Sequence, residues 1–115
     1  MLYNKAGVFG NCTDLTSIRI LDFVISIEEF TFSGCSELTS IIIGSGVETI
    51  EMGAFSQCLN LTSITLLSTE PPQAGMFVFD SSNPPGTICV PAESVDAYKN
   101  ASGWSEYADI IQPIV

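Results

Sequence analysis

Polar and apolar residues alternate along this chain on two scales. On the short scale, Ser17-Ile18-Arg19-Ile20, Ser40-Ile41-Ile42-Ile43 and Ser63-Ile64-Thr65-Leu66 each set two apolar side chains on one face of an extended segment. On the long scale the whole arrangement repeats every 23 residues, through Phe9/Phe32/Phe55, Cys12/Cys35/Cys58 and Leu15/Leu38/Leu61. A second apolar pair per unit, Val24/Ile27 and then Val47/Ile50, lies in a more polar stretch and predicts a further short strand on an opposite wall. The Phe and Cys of each unit, three residues apart, fit one helical turn or a tight bend that drops both side chains inside. A coil of this size cannot bury its own apolar residues, so successive coils must stack at about the 4.8 Å strand spacing and bury them jointly.

After Leu66 the register slips by one residue. A step of 24 then places Pro71 under Val47, Ala74 under Ile50, Phe79 under Phe55, Ser82 under Cys58, Pro85 under Leu61, and Ile88 and Val90 under Ile64 and Leu66, which reads as a degenerate fourth coil. Pro71-Pro72 and Pro84-Pro85 lack donors and interrupt ladder bonding there, as expected where an array ends. The last stretch changes period: Val95, Tyr98 and Ala101 recur at helical spacing behind Ser94 as N-cap, and Ser102-Gly103 is a stop before Trp104, Tyr107 and Ile111. One or two short helices lying across the open end are expected. The L-x-x-I-x-[IL] portion of each unit has the spacing of a leucine-rich repeat. The fold expected is therefore a mainly β repeat solenoid, a right-handed stack of about three 23-residue repeats plus a degenerate fourth, with short C-terminal capping helices. Repeats would occupy 1–70, and the degenerate repeat and cap 71–115, in a single continuous domain.

Composition narrows the function. With 46% hydrophobic and 14% charged residues the chain has the means to fold, and its apolar runs are broken well before the roughly 20 residues needed to span a bilayer. The N-terminus shows no signal-peptide zones. Thirteen acidic residues against three basic ones give a formal charge of -10, which repels nucleic acid and anionic lipid surfaces. The absence of histidine removes the commonest general base and zinc ligand. No catalytic, cofactor-binding or metal-ligating set emerges, and an enzyme would need a carboxylate pair in a cleft, for instance around Asp80, that the spacing does not supply.

Cys12, Cys35 and Cys58 share one column, which points to a ladder of core thiols; bridging any pair would require a torsion that parallel side chains make awkward, and a thiolate metal site would require converging ligands. Cys89 lies between inward Ile88 and Val90 and so faces outward beside Thr65, without a His, Lys or Arg to activate it. Glu28/Glu51 and Asp14/Glu37 stack like charges, to be read as a solvated acidic face or, less simply, a calcium contact. The candidate binding face is the concave, outward side of the strands: Ser17, Arg19, Leu21, Ser40, Ile42, Ser63, Thr65, Leu67 and Cys89, with Gly44 and Thr87 alongside. Leu21, Ile42 and Leu67 set apolar contacts among hydroxyls.

VFGNCTDLTSIRI, FSGCSELTSIII, AFSQCLNLTSITL and the end segment TICVPAESVDAYKNASGWSEYADIIQPI resemble the BspA-type leucine-rich repeats of bacterial surface proteins over nearly the whole chain. Glu28 and Glu51 stand where that family usually has Gly, Thr31 replaces Ala, and Cys89 replaces an aromatic or aliphatic residue. The resemblance implies a secreted or cell-surface, non-catalytic interaction or adhesion module whose partner is a protein or glycan on a host or bacterial surface, with no nucleic acid and no membrane insertion. A structural spacer or terminal cap of a larger envelope protein is the alternative. Since only Met1–Val8 precede Phe9, the chain reads as the C-terminal part of a longer protein or as a short relative that covers its N-terminal edge by self-association.

Overall fold

A computed structural model describes residues 15–79 and 85–114; the expectations placed on Phe9, Cys12, Asp14, Asp80, Ser82 and Pro84 lie outside these residues. The alternating segments form β1 (Ser17–Ile20), β3 (Ser40–Ile43), β5 (Ser63–Leu66) and β7 (Thr87–Val90), and the second apolar pairs form β2 (Ser26–Ile27) and β4 (Thr49–Ile50), continued by β6 (Gln73–Ala74). All pair in parallel. A five-stranded sheet runs β1-β3-β5-β7-β8 and a three-stranded one β2-β4-β6, with β8 spanning Ile111–Pro113. Partners such as Ile18/Ile41, Ile41/Ile64 and Ile27/Ile50 are 23 apart, whereas Ile64/Ile88 and Ile50/Ala74 are 24 apart, so the slip after Leu66 is real and is shared by both walls. This is a mainly β stack of leucine-rich-repeat type with a short C-terminal helix.

The interior is made of columns. Ile18, Ile41, Ile64 and Ile88 form one, Ile20, Ile43, Leu66 and Val90 the next, and all are buried. Phe32 and Phe55 stack with ring centroids 5.4 Å apart and planes 1° from parallel, and Phe55 and Phe79 follow at 5.9 Å and 15°. Identical rings one coil apart are held in offset register by the backbone ladder, which supplies aromatic contact energy at no cost in fitting different shapes. At one corner the coils are also joined by side chains: Thr39 Oγ1 donates to the Thr16 carbonyl at 3.0 Å and Thr62 Oγ1 to the Thr39 carbonyl at 2.9 Å, in step with the backbone bonds between the same residues. Thr31, where an alanine was the family expectation, is fully buried, and its hydroxyl is satisfied by the Glu28 carbonyl at 2.7 Å. An isosteric methyl group alone would have left no donor to place.

At the C-terminal end the helices are short, as expected, α1 covering Val95–Asn100 and the following Ser105–Ile110 being a 3-10 segment kinked at Tyr107. Two expectations need correction there. Ile111 is not helical: it begins β8, which pairs Ile88/Ile111, Cys89/Gln112 and Val90/Pro113, again at a step of 23. The cap is thus a fifth coil in which helices replace the second wall. Ser94 precedes α1 without capping it, because its hydroxyl donates instead to the Thr69 carbonyl at 2.7 Å. That choice follows from the extra residue in the fourth coil. Ladder bonding resumes right after Pro71-Pro72, with Gln73 N–H to Glu48 and Gly75 N–H to Ile50, but the Leu67–Pro72 loop carries carbonyls that the ladder does not use. Three residues of the last coil take them: Ser94 on Thr69, Tyr98 Oη on Ser68 at 2.8 Å, and Trp104 Nε1 on Pro72 at 2.8 Å.

Candidate functional site

The outward positions of the five-stranded sheet form two rows along the stack. One is Ser17, Ser40, Ser63 and Thr87; the other is Arg19, Ile42, Thr65, Cys89 and Gln112, each member the register partner of the next. Neighbours within a row are about one strand spacing apart, roughly 4.8 Å. Ser17 and Arg19 are exposed, Ser40, Ser63, Thr65 and Cys89 are half-buried, and Ile42, 36% exposed, is the one large aliphatic of these two rows that faces water. Gln112 was missed by sequence reasoning because the last segment was read as helical; its 23-residue step from Cys89 was the available signal. Its Nε2 lies 3.9 Å from the Cys89 Sγ, a long and weak contact.

Leu21 and Leu67 are half-buried and lie beyond the strand ends, in a third row whose middle member is Gly44. Gly44 is buried rather than outward: a Cβ there would sit 2.6 Å from the Ile20 carbonyl oxygen and 2.7 Å from Asp22 Oδ1. The three aliphatics Leu21, Ile42 and Leu67 therefore border a polar strip and do not share a row.

Cys35 and Cys58 are free, buried thiols in one column, and Cys58 Sγ donates to the Phe32 carbonyl at 3.2 Å. The hydrogen bond with Cys35, and after it burial, push the Cys58 thiol far above the ordinary thiol range, so it stays protonated and inert. Burial likewise raises the Tyr98 phenol, against the opposing effect of its bond to Ser68, and burial followed by the Glu106 charge raises Tyr107. In the acidic column Ser26 Oγ donates to Glu28 Oε2, and no group of three or more His, Cys, Asp or Glu is disposed to hold a metal ion among the described residues. A polar groove of about 670 Å3 runs beside the Leu67–Pro72 loop, lined in part by Glu48, Thr49, Thr69, Glu70 and Gln73.

The most exposed large apolar side chains lie off the candidate face. Phe23 and Ile25 precede β2, Leu59 lies in the turn after Cys58, and Phe30 and the Met76–Phe77 pair lie where the second wall turns toward the aromatic column. No helix among the described residues is long and apolar enough to cross a membrane. A family model described as the BspA type leucine rich repeat region, in 6 copies, matches residues 5–101. No curated protein matches the chain.

Proposed function

The chain belongs to the BspA-type leucine-rich repeat family, and from that premise we propose that it is a non-catalytic, secreted or cell-surface interaction module that attaches to a protein or glycan through the outer face of its five-stranded sheet. Leucine-rich repeats generally mediate protein interactions, and this family is typically non-catalytic and surface-associated. The observation that carries the reading is the row Arg19, Ile42, Thr65, Cys89, Gln112, in which a cation, an exposed aliphatic and polar groups are presented at fixed spacing on a face the fold keeps rigid. Such a mixture of one apolar anchor within a polar rim is what a recognition surface needs, and it contains no nucleophile with a base beside it. Attachment of the labelled chain to bacterial or host cells should be saturable and should fall about tenfold in Ile42→Asp, since a central anchor is replaced by a charge. Equal attachment of the two proteins would remove this face from consideration. A structural cap without its own ligand is the second reading, favoured by Pro113 in β8, which removes a ladder donor from the end of the sheet.

A further inference from the structure

We propose that the cleft beside Phe77 is a second docking site, separate from the sheet face, for an arginine- or lysine-bearing peptide segment of another protein. Three features of this corner lead there. Met76 and Phe77 are 65% and 64% exposed, the most exposed large apolar pair adjacent in sequence among the described residues, and Phe30 adds a ring at 44%. Phe30 and Phe77 both have φ of 57°, in the left-handed region where an aromatic residue is sterically costly, while the coil between them has Gly53 at 67° in the same column. Glycine is what this turn asks for, and two of these three positions nevertheless carry phenylalanine. A Cβ on Gly53 would fall 2.3 Å from the Phe30 ring, which shows that the ring lies across the glycine toward the Phe77 side.

Behind Phe77 opens a cleft of about 430 Å3, lined among others by Met76, Phe77, Phe79, Gly103, Glu106 and Tyr107. Phe79 and Tyr107 meet edge to face there, with centroids 5.4 Å apart. The exposed Glu106 carboxylate stands at this aromatic lining, and Glu29, next to Phe30 in sequence, is exposed as well. Neither described cation, Arg19 or Lys99, lines the cleft. Aromatic faces together with an exposed carboxylate complement a side chain that has an apolar stem and a cationic head, and that description fits arginine and lysine. The -10 charge of the chain argues the same way and disfavours a second copy as occupant.

The test uses the full chain titrated with an octapeptide of alternating glycine and arginine, against octapeptides in which glutamine or glutamate replaces arginine. The arginine peptide should bind alone, with its resonance shifts centred on Phe77 and Tyr107. Phe77→Gly should weaken it about tenfold with a thermal midpoint no lower than wild type, because glycine relieves the left-handed turn. Glu106→Gln should weaken it about threefold and flatten its salt dependence. No binding of the arginine peptide, equal binding of the glutamine peptide, or an affinity unmoved by both substitutions would each overturn the proposal. So would a self-associated species abolished by Phe77→Gly, which would assign the cleft to a second copy. Because the readout is peptide affinity and not attachment to cells, failure here and failure of the sheet-face reading are separate results.

Discussion

The second and third coils and the fifth solve one packing problem by different means. In the former, Phe32 and Phe55, Leu38 and Leu61, and Ile41 and Ile64 stack like on like, and each position is right because its neighbour is the same. In the fifth coil the ladder step of 23 persists through Ile111, but the second wall is gone and its space is filled by Tyr98 and Trp104, both fully buried. Trp104 ends the ring column on the edge of Phe79 at 6.1 Å and 60°, and Tyr98 packs on Trp104 at 5.7 Å and 71°. Repetition thus gives a structure that can be extended, whereas termination needs large unique side chains whose polar tips find specific carbonyls. The difference teaches that the end of the array is a more specified object than its middle.

The strongest way to break this contrast is Trp104→Ala. It removes a buried indole and strips the Pro72 carbonyl of its donor, so a loss of about 3–5 kcal/mol is expected. In a nearest-neighbour stack the loss should lower the single calorimetric transition of the whole array, not only of its end; an unchanged midpoint would mean that the fifth coil contributes nothing to the others. Gly44→Ala addresses the repeated part. A methyl group 2.6 Å from a backbone oxygen must push adjacent coils apart, at about 1–3 kcal/mol, readable as a lower urea midpoint. If it is silent, the close approach of coils there is not a constraint.

The mildest change, Tyr98→Phe, sharpens the comparison through pH. Its folded-state pKa is raised by burial above the ordinary phenol value near 10, so the stability it contributes is complete below about pH 10 and is lost as pH rises beyond that. Cys58 acts in the same direction from about pH 8.5. Removing the hydroxyl should cost about 1 kcal/mol at pH 7, where the Ser68 carbonyl loses its donor. It should also flatten the alkaline fall of the thermal midpoint above pH 10, and parallel curves for the two proteins would contradict the assignment.

The same contrast explains what could be read from residues alone. Columns in the repeats are legible because identical side chains recur at a fixed step, so Ile18, Ile41 and Ile64 announce both strand and register, and even the one-residue slip is visible in Phe79 and Ile88. The fifth coil hides its strand because Gln112 and Pro113 do not look like strand residues, while Val95, Tyr98 and Ala101 signal a helix strongly. The outward rows follow from alternation, apart from Gln112. The aromatic corner was out of reach for a different cause. Side-chain pattern does not report the sign of φ, and only the placing of Gly53 in one column with Phe30 and Phe77 hints that a left-handed turn recurs there.

The parallel ladders have a mechanical corollary. Both sets of hydrogen bonds run along the stacking direction, and the path from Leu15 to Ile114 crosses every rung in turn. Tension applied between those ends would load one rung at a time, so the molecule would yield as a zip and not shear as a block. Each coil of 23 residues set free would lengthen the tether by about 80 Å. A stack built this way gives ground in measured steps under load.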